Sequence, residues 1–157
     1  MNSDVLFSSG KDDWETPHGL YNELDEEFRF GLDVAANAAN AKCLRWCGPG
    51  HVLPTLHDGL QVNWRFVGGG KTCWMNPPYS RGLQGKFITK ASAERLKGVT
   101  TVALLPARTD TVAFHTYIYQ QPNVEIRFLK GRIKFVGAEH GAPFPSMVVV
   151  FRGEGNG

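Results

Sequence analysis

The pattern that most constrains this chain is an alternation of short apolar runs with segments of helical spacing. The runs "FRFGLDVAA", "KTCWMN" and "VTTVALLP" have the length and composition of buried strands. Strands that alternate with helices form a mostly parallel sheet with helices on both faces. Three later apolar runs follow, "VEIRFL", "RIKFV" and "SMVVVF", and the first two are joined through Lys130-Gly131. The sequence therefore predicts an α/β fold with a mostly parallel sheet and an antiparallel C-terminal hairpin.

The helical segments have recognisable starts and faces. Thr16 and Pro17 predict an N-cap followed by proline at the first helical position. Leu20, Leu24 and Phe28 then recur at a spacing of four, which gives one apolar face. We expect further helices over residues 82–96 and in "DTVAFHTYIYQ", and a helical turn in "NAANAKC".

The bulk composition predicts a single domain over residues 1–157. A chain of 157 residues can bury a core of ordinary size, and no linker or repeat divides it. No apolar run approaches the roughly 18 residues that span a bilayer, and the N-terminus has no signal-peptide pattern. The odd number of cysteines, 3, then favours reduced thiols in a cytoplasmic protein.

Charge is unevenly distributed along the chain. Residues 1–80 contain 6 Lys/Arg and 10 Asp/Glu, whereas residues 81–157 contain 11 and 5. A basic second half is where a polyanion would bind, although an uneven solvated surface gives the same counts.

Unusual residues follow three of the predicted strands. In sheets of this kind, ligands bind at the carboxyl ends of the strands. That rule brings Asp33, the segment Asn76-Pro77-Pro78-Tyr79 and the Pro106–Arg108 turn to one edge of the sheet. We expect the functional site at this edge.

Asn76-Pro77-Pro78-Tyr79 has the chemistry of a clamp for a planar amine. The two prolines fix two φ angles and make a stiff, extended corner. The side-chain oxygen of Asn76 and the carbonyl of Pro77 can accept both hydrogens of an –NH2 group, and Tyr79 can stack on its ring. Such a site works by positioning and electrostatics. The alternative interpretation is that these four residues form a turn with a purely structural role at the end of a strand.

The segments around this corner resemble one family. "WETPHGLYNEL", "FGLDVAANAAN", "HDGLQVNW", "WMNPPYS", "LLPARTDTVAFH" and "GRIKF…APFPSMVVVF" occur in the order seen in phage-type Dam DNA adenine-N6 methyltransferases. The resemblance covers about residues 10–153. It implies a Rossmann-like methyltransferase sheet, S-adenosylmethionine as methyl donor, and transfer to the N6 amine of a flipped adenine. It also implies double-stranded DNA as partner and a cytoplasmic location in a bacterial or phage-infected cell.

The resemblance also implies roles for individual residues. One departure is that "LDVAANAAN" lacks the usual glycine-rich turn, and no acidic residue for the cofactor ribose is identifiable. Taken alone, Asp33 would be interpreted as a helix N-cap, and Asp58 could equally be a turn residue. The implied catalytic residues are Asn76, Pro77, Pro78 and Tyr79, and the implied cofactor-binding residues are Trp14, Thr16, Pro17, Asp33, Ala35 and Asp58.

DNA contacts are expected from basic residues near the corner and in the second half. Larger enzymes of this kind carry a separate target-recognition domain, for which 157 residues leave no room. We expect a monomer or homodimer whose own surface meets the DNA. The candidates are Arg81, Lys86, Lys90, Arg108, Lys130, Arg132 and Lys134.

Two kinds of alternative remain open from the residues. Cys43, Cys47, His51 and His57 could form a structural zinc site, but their spacing matches no diagnostic pattern and the chemistry needs no metal, so none is expected. The same corner could act on an RNA adenine or on the side-chain amide of a protein glutamine. The chain could also be a DNA-binding module that has lost catalysis.

Overall fold

A five-stranded mixed sheet forms the centre of the molecule. The computed structural model describes residues 14–80 and 82–155. The strands lie in the order β1-β2-β3-β5-β4. The first three are parallel, and β5 runs antiparallel between β3 and β4. The predicted α/β architecture is confirmed, but the sheet is mixed: it is parallel from β1 to β3 and antiparallel from β3 onward, whereas the sequence predicted a mostly parallel sheet. The strand bounds are β1 Phe30–Asp33, β2 Thr72–Met75, β3 Thr101–Pro106, β4 Val124–Phe128 and β5 Ser146–Phe151.

The antiparallel part differs from the prediction. The segment "RIKFV" forms no strand, so the expected hairpin at Lys130-Gly131 is wrong. Its backbone groups bond elsewhere: Val136 N donates to Glu15 O at 3.0 Å, and Ala142 N donates to Ile133 O at 2.8 Å. Strand β4 instead pairs directly with β5 across the long connection of residues 129–145.

Helices cover both faces of the sheet because the strand residues alternate between them. Every residue of β3 and of β5 is buried, as expected for the inner strands. On one face, Val102 packs in a cluster with Leu24 of the first helix, α1 (His18–Phe28). On the other, Ala103 packs with Phe87 of a later helix, α3 (Leu83–Arg95). A short helix, α2 (Trp64–Val67), and a π-helical turn at Phe114–Ile118 complete the helical layers.

Helix α1 confirms the predicted apolar face but not the predicted start. Leu24 is buried, and Leu20 and Phe28 pack against the same cluster. The helix begins at His18 with Pro17 in the capping position and no side-chain cap. The prediction of Thr16 as N-cap is therefore wrong, and its hydroxyl accepts a hydrogen bond from the side-chain amide of Asn76 instead.

The remaining helical predictions hold in outline. Helix α3 and the segment around the π-helical turn lie where the sequence predicts helices. "NAANAKC" forms a single turn, closed by the bond from Ala41 N to Asn37 O at 3.0 Å. Within residues 14–80 and 82–155, no helix combines the length and apolarity needed to cross a membrane.

Candidate active site

A cavity of about 460 Å³ opens at the carboxyl ends of β1 and β2. This is the edge of the sheet at which the sequence predicts the site. Its walls come from the loop after β1, from the segment before the 3₁₀ turn Gly59–Gln61, and from the corner after β2. The polar and charged side chains that line it include Glu15, Thr16, Asp33, Asn37, Asn40, Lys42, His57, Asp58 and Asn76.

The amide of Asn76 is held in one orientation. Its Nδ2 donates to Trp14 O at 2.6 Å and to Thr16 Oγ1 at 3.0 Å. Because a backbone carbonyl only accepts, the –NH2 group has to face Trp14, and this fixes Oδ1 on the other side. Oδ1 is buried and has no hydrogen-bond partner among the described residues. The corner therefore presents an acceptor that a donor on a ligand can satisfy.

Tyr79 belongs to a group of rings that we call the aromatic cluster: Trp14, Tyr79, Phe135 and Phe144. The Tyr79 ring stacks on Trp14 with centroids 6.1 Å apart and planes at 27°. It also meets Phe144 at 5.3 Å and the edge of Phe135 at 6.3 Å. Burial raises the pKa of the Tyr79 hydroxyl above its ordinary range, so this group stays protonated at neutral pH. The cluster provides a flat apolar environment beside Asn76.

Asp33 organises the loop that follows β1. Its carboxylate accepts from Ala35 N at 3.2 Å and from Lys42 N at 3.0 Å. Burial raises the pKa of Asp33 to about 7, although these two hydrogen bonds oppose the shift. No helix follows β1 directly in the described chain, so the alternative reading of Asp33 as a helix N-cap is wrong.

Two glycines let a second loop lie directly on the first. A Cβ on Gly48 would stand 1.6 Å from Ala36 O, and a Cβ on Gly59 would stand 1.9 Å from Val34 O. Any larger residue would push the loops apart. The close approach that a glycine-rich turn usually permits after β1 is thus supplied here by later glycines, which the sequence analysis did not single out.

Five of the six predicted cofactor-binding residues line the cavity. They are Trp14, Thr16, Asp33, Ala35 and Asp58, whereas Pro17 lies at the start of α1. Asp58 also caps the 3₁₀ turn Gly59–Gln61, since its Oδ1 accepts from Leu60 N at 2.9 Å. Asp58 therefore both caps this turn and lines the cavity.

The cavity wall contains an ion pair whose two residues were not among the predicted site residues. Lys42 Nζ lies 3.2 Å from Glu15 Oε2, and both residues line the cavity. Glu15 stands between two predicted cofactor residues, which was the only available signal. Lys42 carried none, because it sits in an Ala- and Asn-rich turn.

The four residues that were considered as an alternative zinc site are not grouped around one point. Among residues 14–80 and 82–155, no three His, Cys, Asp or Glu side chains are grouped so that they could hold a metal ion. His57 Nε2 contacts the backbone oxygen of His51 at 2.6 Å, and Cys43 Sγ contacts the hydroxyl of Tyr21 at 3.4 Å. The alternative of a zinc site in Cys43, Cys47, His51 and His57 therefore has no support in this geometry.

The predicted DNA-binding residues fall in three groups. Lys130, Arg132 and Lys134 are exposed along the segment that buries Phe135 beneath them. Lys86 and Arg108 are exposed near the corner, and Arg108 lines a second cavity of about 540 Å³ that Tyr79 also borders. Lys90 is paired with Glu94 at 3.3 Å. Arg81 lies outside the described residues.

Comparison with known proteins shows which family the sequence of this chain resembles. A family model described as DNA N-6-adenine-methyltransferase (Dam) matches residues 4–153. The DNA N-6-adenine-methyltransferase of Haemophilus phage HP1 (strain HP1c1) is 29% identical over 151 residues, which cover 91% of this chain and 80% of that protein.

Proposed function

Because the chain belongs to the DNA N-6-adenine-methyltransferase (Dam) family, we propose that it methylates the N6 amine of a flipped adenine with S-adenosylmethionine. The predicted resemblance is confirmed, and with it the identity of the chain as an adenine-specific DNA methyltransferase. The cofactor, the flipped base and the role of each residue are parts of the proposal.

The observation that carries the proposal is the orientation of the Asn76 amide. Its two donors are engaged by Trp14 and Thr16, and its buried Oδ1 is left as an acceptor. The N6 amine of adenine offers two hydrogens, one for Asn76 Oδ1 and one for the rigid carbonyl of Pro77. Accepting these hydrogens draws electron density onto nitrogen and directs its lone pair at an electrophile.

The cavity fits the proposed methyl donor in size and charge. A volume of about 460 Å³ lies within the range of small-molecule sites. Among the residues that the structure describes, three carboxyl groups line it, those of Glu15, Asp33 and Asp58, together with one lysine, Lys42. This balance suits a ligand with net positive charge. S-adenosylmethionine supplies an electrophilic methyl group on a sulfonium and has such a charge.

The aromatic cluster is proposed to receive the target base. Flipping a base out of duplex DNA costs a few kcal/mol, which stacking inside the enzyme offsets. Tyr79 is fixed by Trp14, Phe135 and Phe144, and it lies three residues beyond Asn76 on the rigid corner. A base stacked on Tyr79 keeps its exocyclic amine within reach of Asn76. Because the Tyr79 hydroxyl stays protonated, the Tyr79 ring places no negative charge against the base stacked on it.

Double-stranded DNA is proposed to lie over the basic side of this cluster. Lys130, Arg132 and Lys134 are exposed on the segment that carries Phe135 into the aromatic cluster. Phosphates bound by these side chains would hold the duplex next to the site that receives the base. Lys86 and Arg108 extend the positive surface near the corner, and Arg81 and Lys90 remain candidates from the sequence.

A methyl-transfer assay tests the proposal directly. The purified protein is mixed with labelled S-adenosylmethionine and unmethylated DNA, and the digested nucleosides are analysed by mass spectrometry. We expect N6-methyladenine from the native protein, and a loss of about 100-fold or more in Asn76→Ala. Asn22→Ala, an exposed position on α1, is the matched control and should keep full activity.

RNA and protein substrates tested in parallel with this assay, together with titrations of DNA binding and cofactor binding, distinguish the alternatives. Methylated RNA or methylated protein glutamine, with unmodified DNA, would assign the chemistry to another planar amine. Full DNA methylation by Asn76→Ala would remove Asn76 from the mechanism. DNA binding without any cofactor binding would indicate a module that has lost catalysis.

A further inference from the structure

We propose that Lys42 and Glu15 bind the amino-acid end of the cofactor, with Lys42 holding its carboxylate and Glu15 its ammonium group. This inference rests on the proposed use of S-adenosylmethionine. It assigns a binding role to two residues that neither the sequence motifs nor the family match singled out.

The two side chains form a pair of opposite charges in the wall of the cavity. Lys42 Nζ lies 3.2 Å from Glu15 Oε2, and the two side chains are 8% and 27% exposed. Nζ also lies 3.3 Å from His18 Nδ1. An ammonium group has three donors, so Lys42 can bind a third acceptor without giving up these contacts. The amino-acid end of the cofactor is a zwitterion: its carboxylate is complementary to the ammonium group of Lys42, and its ammonium group is complementary to the carboxylate of Glu15.

Both residues are held in place by backbone contacts before any ligand arrives. Lys42 N donates to Asp33 Oδ2 at 3.0 Å, and Lys42 O accepts from the hydroxyl of Tyr21 at 3.2 Å. Glu15 O accepts from Val136 N at 3.0 Å. A preformed pair loses little conformational freedom on binding, which favours affinity.

A stabilising role alone accounts poorly for this position. Ion pairs near the surface add little to stability, and desolvating a lysine has a cost of its own. Here the pair lines the ligand cavity. When a zwitterion binds, each charge of the pair gains a second partner of opposite sign at the cavity wall. The favourable electrostatic energy of the pair therefore contributes mainly to ligand affinity and not to folding stability.

The pair is also joined to the catalytic corner. Glu15 lies between Trp14 and Thr16, whose oxygens both accept from Asn76 Nδ2. A ligand held by Glu15 therefore fixes the same three-residue segment that orients the Asn76 amide. Cofactor binding would therefore help to fix the position of Asn76 Oδ1, the proposed acceptor for the target amine.

Calorimetric titration with two matched ligands tests the inference in the full chain. S-adenosylhomocysteine carries the amino-acid end, and 5′-methylthioadenosine has the same nucleoside and thioether without it. In Lys42→Met and in Glu15→Gln we expect affinity for S-adenosylhomocysteine to fall about 10- to 100-fold. Affinity for 5′-methylthioadenosine should stay within about twofold of the native value, which also shows that each variant folds. Lys71→Met and Glu23→Gln, both exposed, are the matched controls.

A further ligand distinguishes the role proposed for Lys42 from the role proposed for Glu15. Decarboxylated S-adenosylmethionine lacks the group assigned to Lys42, so its affinity should not respond to Lys42→Met but should still fall in Glu15→Gln. Unchanged binding of S-adenosylhomocysteine by both variants would overturn the inference and leave the proposed function intact. So would an equal loss for both ligands of the first pair. If the native protein binds none of these ligands, the proposed cofactor itself is wrong.

Discussion

The hydroxyl oxygen of Thr16 lies 3.0 Å from Nδ2 of Asn76 and accepts its hydrogen bond, across 60 residues of sequence. Thr16 is 1% exposed, so this contact is sheltered from water. A buried acceptor facing –NH2 determines which way the amide points. In the proposed mechanism Thr16 is therefore a positioning residue, which acts on methyl transfer through Asn76.

Thr16→Val removes this acceptor while keeping the shape of the side chain. We expect kcat for DNA methylation to fall about tenfold, because the amide loses one of the two contacts that orient it. Affinity for S-adenosylhomocysteine should change less, because valine keeps the shape of the side chain that lines the cavity. Steady-state kinetics with calorimetric titration measure the two effects separately.

Thr16→Ser supplies the control for this prediction. It restores the hydroxyl and should recover most of the lost kcat. Equal activity in Thr16→Val and the native protein would show that Trp14 O alone orients Asn76.

Asp33 should make stability depend on pH in an unusual direction. Its pKa in the folded protein is about 7, above the ordinary value near 3.8, because burial disfavours the charged form. The folded state therefore binds this proton more tightly than the unfolded state. The contribution of Asp33 to the free energy of unfolding is greatest below about pH 4 and declines as the pH rises to about 7, by on the order of a few kcal/mol.

Urea unfolding between pH 4.5 and 8 measures this contribution. Asp33→Asn cannot ionise, so its free energy of unfolding should fall less over this range than that of the native protein. Asp110→Asn, an exposed position, should keep the native slope. Parallel curves for all three proteins would contradict the raised pKa of Asp33.

The sequence predicted the parts of the fold that depend on local patterns. The central strands are continuous apolar runs, and α1 has a clear four-residue spacing, so both could be predicted. The segment "RIKFV" has a strand-like pattern as well, yet its backbone bonds to Glu15 and Ala142 instead of to a strand. Apolar alternation shows which side chains are buried, but it does not show where the backbone hydrogen bonds go.

The site was predictable to a similar extent. Asn76 and Tyr79 stand on a stiff corner whose chemistry is visible in four consecutive residues. The pairing of Lys42 with Glu15 depends on the loop after β1 folding back so that Lys42 N donates to Asp33 Oδ2. The orientation of the Asn76 amide depends on Thr16, which lies 60 residues earlier. Such contacts are set by tertiary structure, and no local pattern encodes them.

Gly48→Ala should damage both the fold and the cavity. The added Cβ would lie 1.6 Å from Ala36 O, so one of the two loops has to move. We expect the free energy of unfolding to fall by about 1–3 kcal/mol and S-adenosylhomocysteine to bind more weakly. Thermal unfolding with and without the ligand measures both effects.

The matched control for this substitution is Gly19→Ala in α1. A Cβ there meets nothing within 4 Å, and alanine favours a helix over glycine by roughly 0.5–1 kcal/mol. This variant should be slightly more stable than the native protein. A stable Gly48→Ala with normal binding would show that the loops adapt without cost.

The exposed basic residues Lys130, Arg132 and Lys134 should contribute to DNA affinity through phosphate contacts. Each neutralised phosphate releases condensed counterions, so the logarithm of the association constant falls with the logarithm of salt concentration in proportion to the contacts made. Replacing one of the three by glutamine should reduce the magnitude of that slope by about 0.9 and weaken binding similarly for all DNA sequences. Lys71→Gln, at the opposite end of β2 from the corner, should leave the slope unchanged. An altered sequence preference with an unchanged slope would instead mean that the substituted side chain reads a base edge.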